Sequence, residues 1–203
     1  MNPSERPAHI QLFLEKVRVA FEQARPDPET AACLDRVFAA LAQPGDVGCG
    51  EPATLPACAF LNEALEPARQ AGGALGELAR EIVRIDPHLG WRRRGGGAPM
   101  ASASFADGHA NAMIVGPGGL EHRRDVWVGI SLLAPEVRYP DHTHSPEEIY
   151  LVLMGSAFRQ ADGAWFEPGI GGTFYNEPGI VHAMASGSKP LLAVWCLSEG
   201  SVG

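Results

Sequence analysis

The chain has 203 residues, 45% of them hydrophobic and 20% charged, with a formal net charge of −8. That composition can close a real core and excludes a disordered chain. The acidic balance disfavours nucleic acid and anionic membrane as partners. No apolar stretch approaches the ~20 residues that span a bilayer. The start, MNPSERPAHIQLF, lacks the basic and apolar regions of a signal peptide, so a cytoplasmic location is expected. Of the cysteines Cys33, Cys49, Cys58 and Cys196, none forms a C-x-x-C pair, and a disulfide framework is not expected. Cys49 and Cys58 share a loop-like stretch and are the one pair considered for a bridge.

The first half reads as helical. Ile10, Phe13, Leu14, Val17 and Phe21 recur at three- and four-residue spacing, which predicts one apolar stripe on a helix. Asp27-Pro28-Glu29 has the order of an N-cap, a first-position proline and a first-turn acid, and opens a second helix through Leu34, Val37, Phe38 and Leu41. A third stripe uses Leu55, Phe60, Leu61 and Leu65, with Pro67 expected to kink or end it. A fourth carries Leu75, Leu78, Ile82 and Ile85. The stretch WRRRGGGAPM, from Trp91 to Met100, lacks the glycine spacing of a phosphate loop and is read as a flexible connection.

Beyond it the pattern changes to short runs bounded by Gly, Pro, Asp and Asn: MASASFA, NAMIVGPGG, VWVGISLLAP, EEIYLVLMG, AWFEPG, GTFYNEPG, IVHAMASG and PLLAVWCLS. Strands at such spacing predict a sandwich or barrel. The fold class is therefore mainly β with a helical N-terminal part. About four α-helices in residues 1–95 form an extension packing on a β-barrel of residues 96–203.

The chemistry concentrates in YPDHTHSPEEIY. His142 and His144 are two apart, so an extended chain aims both at one point. In the next strand Glu148, Tyr150 and Val152 share a face opposite Ile149, Leu151 and Leu153. Glu148 is then a carboxylate in apolar surroundings, which calls for a partner such as a metal. Glu147, on the other face, is expected to be solvated. Downstream, His182 follows the Pro178-Gly179 turn, and Met184 shares its face. Three imidazoles and a carboxylate suit Fe(II), Zn(II), Mn(II), Ni(II) or Co(II), and ligand type alone does not choose among them. His9, His88, His109 and His122 have no partner pattern and read as surface or loop residues. Asp141 and Glu177 read as turn acids, and Arg159 as a surface residue.

These residues resemble the two cupin motifs. In the first, His142 and His144 are followed after three residues by Glu148 and after six more by Gly155; in the second, Gly172 is followed by Pro178, Gly179 and His182. Sixteen residues separate the motifs. Two departures stand out: Glu136 occupies the place of the glycine expected before the H-x-H, and one residue between proline and glycine is missing from the second motif. The resemblance implies a jelly-roll, or double-stranded β-helix, barrel. With the helical first half, Tyr139 and Tyr150, the chain further resembles the cupin-type dimethylsulfoniopropionate lyases of the DddQ group.

That resemblance implies a single divalent transition metal, Fe(II) or Zn(II) foremost, on His144, Glu148 and His182 with His142 in the same site. It also implies Tyr150 as base, Tyr139 in an auxiliary role and a small zwitterionic sulfonium as substrate. By location in the β half, Trp127, Trp165, Tyr175 and Trp195 are candidates to hold the sulfonium. Another cupin metalloenzyme, such as an Fe(II) dioxygenase or an isomerase of a small acid, and a non-catalytic small-ligand binder are the alternatives. Monomer and homodimer both stay open.

Overall fold

A computed structural model of the chain describes residues 5–48, 50–95, 98–155 and 157–199. Helix α1, Ala8–Gln23, buries Ile10, Phe13, Leu14, Val17 and Phe21, the stripe expected from their spacing. Helix α2, Pro28–Ala40, starts where Asp27 accepts a 2.8 Å bond from the Thr30 backbone and a 2.7 Å bond from its hydroxyl. This satisfies one of the free N–H groups at the helix start. A 3-10 turn, Pro56–Phe60, leads into α3, Leu61–Ala71, and α4 spans Gly73–Ile85. Pro67 does not end α3, which continues to Ala71. Burial of Ala64, Leu65 and Ala68 outweighs the one backbone bond that proline removes. The chain reverses instead at Gly72, whose φ of +66° is the left-handed region glycine tolerates.

Trp91 and Arg92, at the start of the stretch read as a flexible connection, are docked, and Gly96 and Gly97 of that stretch lie outside the described residues. Trp91 is buried and its indole donates to Asp86 at 2.8 Å. Arg92 exchanges backbone bonds of 2.8 and 2.9 Å with Asn111. The run MASASFA, expected as a strand, holds turns and the start of a single helical turn, α5, Phe105–Gly108. That turn closes Phe105 onto His109, with ring centroids 3.8 Å apart.

The strands are β1 Asp46–Val47, β2 His109–Val115, β3 Glu121–His122, β4 Val126–Leu133, β5 Glu147–Met154, β6 Ala157–Gln160, β7 Thr173–Asn176, β8 His182–Ala185 and β9 Leu191–Ser198. The short β1, β3 and β6 carry no period-two pattern long enough to read from sequence. AWFEPG contributes only an isolated bridge, Phe158 to Phe166. Seven strands form one sheet in the order β1-β3-β2-β4-β9-β5-β7, and β6 pairs with β8 in a second. Residues 138–142 run beside β8 through bridges at Arg138–Ala185 and His142–His182. The helical half thus lends strand β1 to the large sheet.

Each long strand is apolar on both faces because both are covered. Ile149, Leu151, Leu153, Val194 and Cys196 face α1 to α4 and share one core with them. Tyr150, Val152, Ala193, Trp195 and Leu197 face the second sheet and form another core with Tyr139, Phe158, Phe174 and Met184. Cys33, Cys58 and Cys196 are free thiols; Cys49, the partner considered for Cys58, lies outside the described residues.

One buried ion pair ties the chain start to the sheet. Arg6 meets both oxygens of Glu121, at 2.5 and 3.1 Å, and caps the Leu41 carbonyl at 2.8 Å. Both side chains are nearly fully buried. Without Arg6, Glu121 keeps the Gly45 N–H at 2.8 Å and the more distant Arg123 at 3.9 Å, so Arg6→Ala is expected to lower unfolding free energy by about 3 kcal/mol, the low end for a broken buried pair. Urea denaturation followed by circular dichroism measures it, and a loss below 1 kcal/mol would contradict the assignment.

Candidate metal centre and cavity

The two motifs meet by backbone pairing. His142 and His182 exchange N–H···O bonds of 3.0 and 2.9 Å, and Gly179 donates to the His144 carbonyl at 2.9 Å. Gly179 has φ of +77°, so the shortened second motif still closes its turn. Glu136 carries φ of +59° where the cupin pattern has glycine, so the backbone shape survives the substitution. The bridge brings the His142 and His182 ring centroids to 4.0 Å and leaves His144 and His182 at 5.0 Å.

All three imidazoles are turned the same way. Nδ1 of His142 faces the Pro140 carbonyl at 2.9 Å, that of His144 the Pro146 carbonyl at 2.9 Å, and that of His182 the Ile180 carbonyl at 3.1 Å. A carbonyl only accepts, so each Nδ1 carries the proton and each Nε2 presents a lone pair. Nε2 of His144 and Nε2 of His182 each lie 3.2 Å from Glu148 Oε2. Buried Nε2 of His182 makes no hydrogen bond. Two imidazole lone pairs beside one carboxylate oxygen call for a cation among them, a proton or a metal ion. Donor separations near 3 Å are those that metal–ligand bonds of about 2.0–2.2 Å impose. The ligand atoms of His144, Glu148 and His182 all lie within 4.8 Å of one another, and His142 stands beside this group. The donor set therefore fits a divalent transition metal.

With a proton as that cation, the contact stabilises the carboxylate. Burial alone would raise the Glu148 carboxyl, but His144 and His182 beside it hold it well below the usual carboxylate range. Burial opposes charge on His144 as well; Glu148 overcomes this and raises it. His142 is pushed down to about 4, first by burial and then by His182, so it is neutral. Asn176, paired with Glu148 across β5 and β7, donates to Glu148 Oε2 at 2.9 Å and is itself held by Gln160 at 2.7 Å. Neither amide was legible in the sequence, because only strand pairing puts Asn176 opposite Glu148. Such outer partners fix the orientation of a ligand.

A cavity of about 300 Å³ opens on these residues. Tyr139, Tyr150, Trp127, Trp195 and Met184 line it, together with Met113, Asn111, Ser131 and Arg94. Gly129 lets the Trp195 ring lie across β4: a Cβ there would stand 2.1 Å from the ring. Tyr150 stacks on Phe174 at 5.0 Å. Burial, and then the Glu148 charge, push its hydroxyl well above the ordinary value. Burial raises Tyr139 to about 12.

Several expected placements differ. Tyr175 points to the helical side, where its hydroxyl donates to Glu147 at 3.1 Å. Glu147 is buried rather than solvated, because α2 covers that face and Arg36 clasps both its oxygens at 2.7 and 2.6 Å. Trp165 lies outside the cavity wall, partly exposed between the guanidiniums of Arg138 and Arg159. Arg159 and Arg138 both bind Asp141, at 2.7 and 2.6 Å, so these are paired groups bracing the loop before His142. His109 is buried, with its Nε2 accepting from the Arg94 backbone at 2.8 Å. That contact carries Arg94 to the cavity.

The barrel has the cupin fold, and it converges histidines and a glutamate from two motifs on one buried point, a group that could hold a metal. The profile of the dimethylsulfoniopropionate lyase family matches residues 29–193, most of the length. The chain belongs to that family. It is 30% identical over 151 residues to a Cereibacter sphaeroides protein carrying the provisional name dimethylsulfoniopropionate lyase DddL, covering 73% of this chain and 62% of that protein. The chain thus spans less than two thirds of this relative. The crystal structure of the lyase DddQ from Ruegeria pomeroyi superposes with a TM-score of 0.75 at 20% identity, covering 98% of this chain and 95% of that one. A second, from a study of the lyases RdDddP and RnDddQII, gives 0.69 at 22%, covering 97% and 95%. These two show a shared fold. No helix among the described residues is long and apolar enough to cross a membrane.

Proposed function

We propose that the protein cleaves dimethylsulfoniopropionate to dimethyl sulfide and acrylate. The observation that carries this reading is that Tyr150 lines one aromatic-walled cavity with His144 and Glu148, two members of the His144–Glu148–His182 group, in a chain of this family. His144, Glu148 and His182, with His142 in the same site, would hold the metal, Fe(II) or Zn(II) foremost. A bound divalent ion would supply Lewis-acid stabilisation of charge developing on the substrate carboxylate.

The chain's own residues do the rest. Arg94 adds positive charge to the wall that receives the carboxylate. Trp127, Trp195 and Tyr139 offer aromatic faces to the sulfonium, each worth about 0.5–2 kcal/mol. Tyr150 takes the proton from the carbon next to the carboxylate. The electrons of that C–H bond form the new double bond, the carbon–sulfur bond breaks, and dimethyl sulfide leaves with its electron pair. Burial and the Glu148 charge favour the protonated phenol. To act as base Tyr150 first releases its own proton to solvent, and positive charge beside it, from the sulfonium and from a cation that the donor set would hold, would favour the phenolate left behind.

Purified protein, with each candidate metal added back, is expected to release dimethyl sulfide from dimethylsulfoniopropionate under anaerobic conditions, as read by gas chromatography. An elimination consumes no oxygen. Turnover that requires oxygen, or no sulfide release with any of the metals, would reject the reading.

A further inference from the structure

Three adjacent strands carry a line of polar side chains ending at Tyr139. Trp195 Nε1 on β9 donates to Ser131 Oγ on β4 at 3.0 Å. Ser131 Oγ donates to Asn111 Oδ1 on β2 at 2.7 Å, and Asn111 Nδ2 donates to the Tyr139 hydroxyl oxygen at 2.9 Å. Register builds the line: Asn111 lies directly opposite Ser131, and Trp195 opposite Gly129, one position along the same face. In the structure Ser131 accepts from the indole N–H and turns its own proton to Asn111, so the asparagine carbonyl faces the serine and its amide N–H₂ faces the phenol. The Tyr139 oxygen accepts from the line, and its single proton is free to point elsewhere. Around Tyr139 stand the rings of Phe105, His109 and His142, at 5.1, 5.7 and 5.0 Å between centroids, and the cavity.

We propose that Asn111, Ser131 and Trp195 form a positioning relay that aims the Tyr139 hydroxyl proton into the cavity, where it donates to an anionic oxygen of the ligand, a carboxylate. The carboxylate as ligand rests on the lyase reading; the polarity of the relay does not. Asn111 and Ser131 then act on the ligand through Tyr139. Losing Asn111 lets the hydroxyl rotate away, while losing the hydroxyl makes Asn111 irrelevant to binding.

The test is a double-mutant cycle on acrylate binding, by isothermal titration calorimetry of metal-loaded protein, with metal content and melting temperature recorded for every variant. Asn111→Leu and Tyr139→Phe are each expected to weaken acrylate about tenfold, the scale of one hydrogen bond to a charged group. Both are expected to keep the metal. Asn111→Leu combined with Tyr139→Phe is expected to bind no more weakly than Tyr139→Phe alone. Asn111→Leu binding acrylate like the wild type, or a double variant weakened by the product of the two single effects, would overturn the relay. If Asn111→Leu does not melt cooperatively, Ser131→Ala completes the same cycle with the same readings. Wild-type protein that releases no dimethyl sulfide yet gives the non-additive cycle would sink the lyase reading and keep the relay. Wild-type protein that binds no acrylate would overturn the carboxylate assignment.

Discussion

Glu148→Ala is expected to yield folded protein without metal and without turnover. Glu148 lies within 3.2 Å of two imidazole nitrogens and supplies the only carboxylate in the compact donor group found among the described residues. Replacing a partner that merely orients a ligand costs about 10–100-fold in metal affinity, so loss of the ligand itself should exceed that range. The fold should survive. His144 and His182 keep their Nδ1 bonds to backbone carbonyls. His182→Ala should behave alike. Elemental analysis after desalting is the measurement, with a melting curve beside it. Stoichiometric metal retained by Glu148→Ala would remove this residue from the ligand set.

Tyr150→Phe is expected to separate the metal from the chemistry. The ring is held by its stack on Phe174 and by strand pairing with Trp195, and phenylalanine preserves both. Metal content should therefore stay at the wild-type level. What disappears is the oxygen proposed to accept the substrate proton, and general bases contribute about 10²–10⁴-fold to rate. That loss should appear in kcat, with KM changed far less, because the sulfonium still meets the faces of Trp127 and Trp195. Steady-state assay of dimethyl sulfide release checks it. Wild-type kcat in Tyr150→Phe would show that another group takes the proton.

How far the site was legible depended on whether the governing interactions were local. The helix stripe from Ile10 to Phe21 and the Asp27 cap follow from spacing and from a bond between residues three apart, and both are present as expected. Strand parity separated Glu148 from Glu147, and the two do face opposite sides of β5. Parity did not say what covers the second side. The α2 helix does, so Glu147 is a buried partner of Arg36 instead of a solvated acid. The same uncertainty misplaced Tyr175. It alternates with Phe174 and Asn176 on β7, and pairing opposite Ile149 sends it toward the helices.

By itself the sequence determined the alternation of helical and extended segments, the two motifs and the donor types they carry. These depend on the period of the backbone and on the chemistry of individual side chains. The tertiary structure alone decided which face of each strand looks into the barrel, that Asn176 steadies Glu148, and that Arg94 and the Trp195–Ser131–Asn111 line reach the cavity. Each of those rests on register between strands far apart in the chain. A one-residue slip in that register would turn every one of these side chains to the other face.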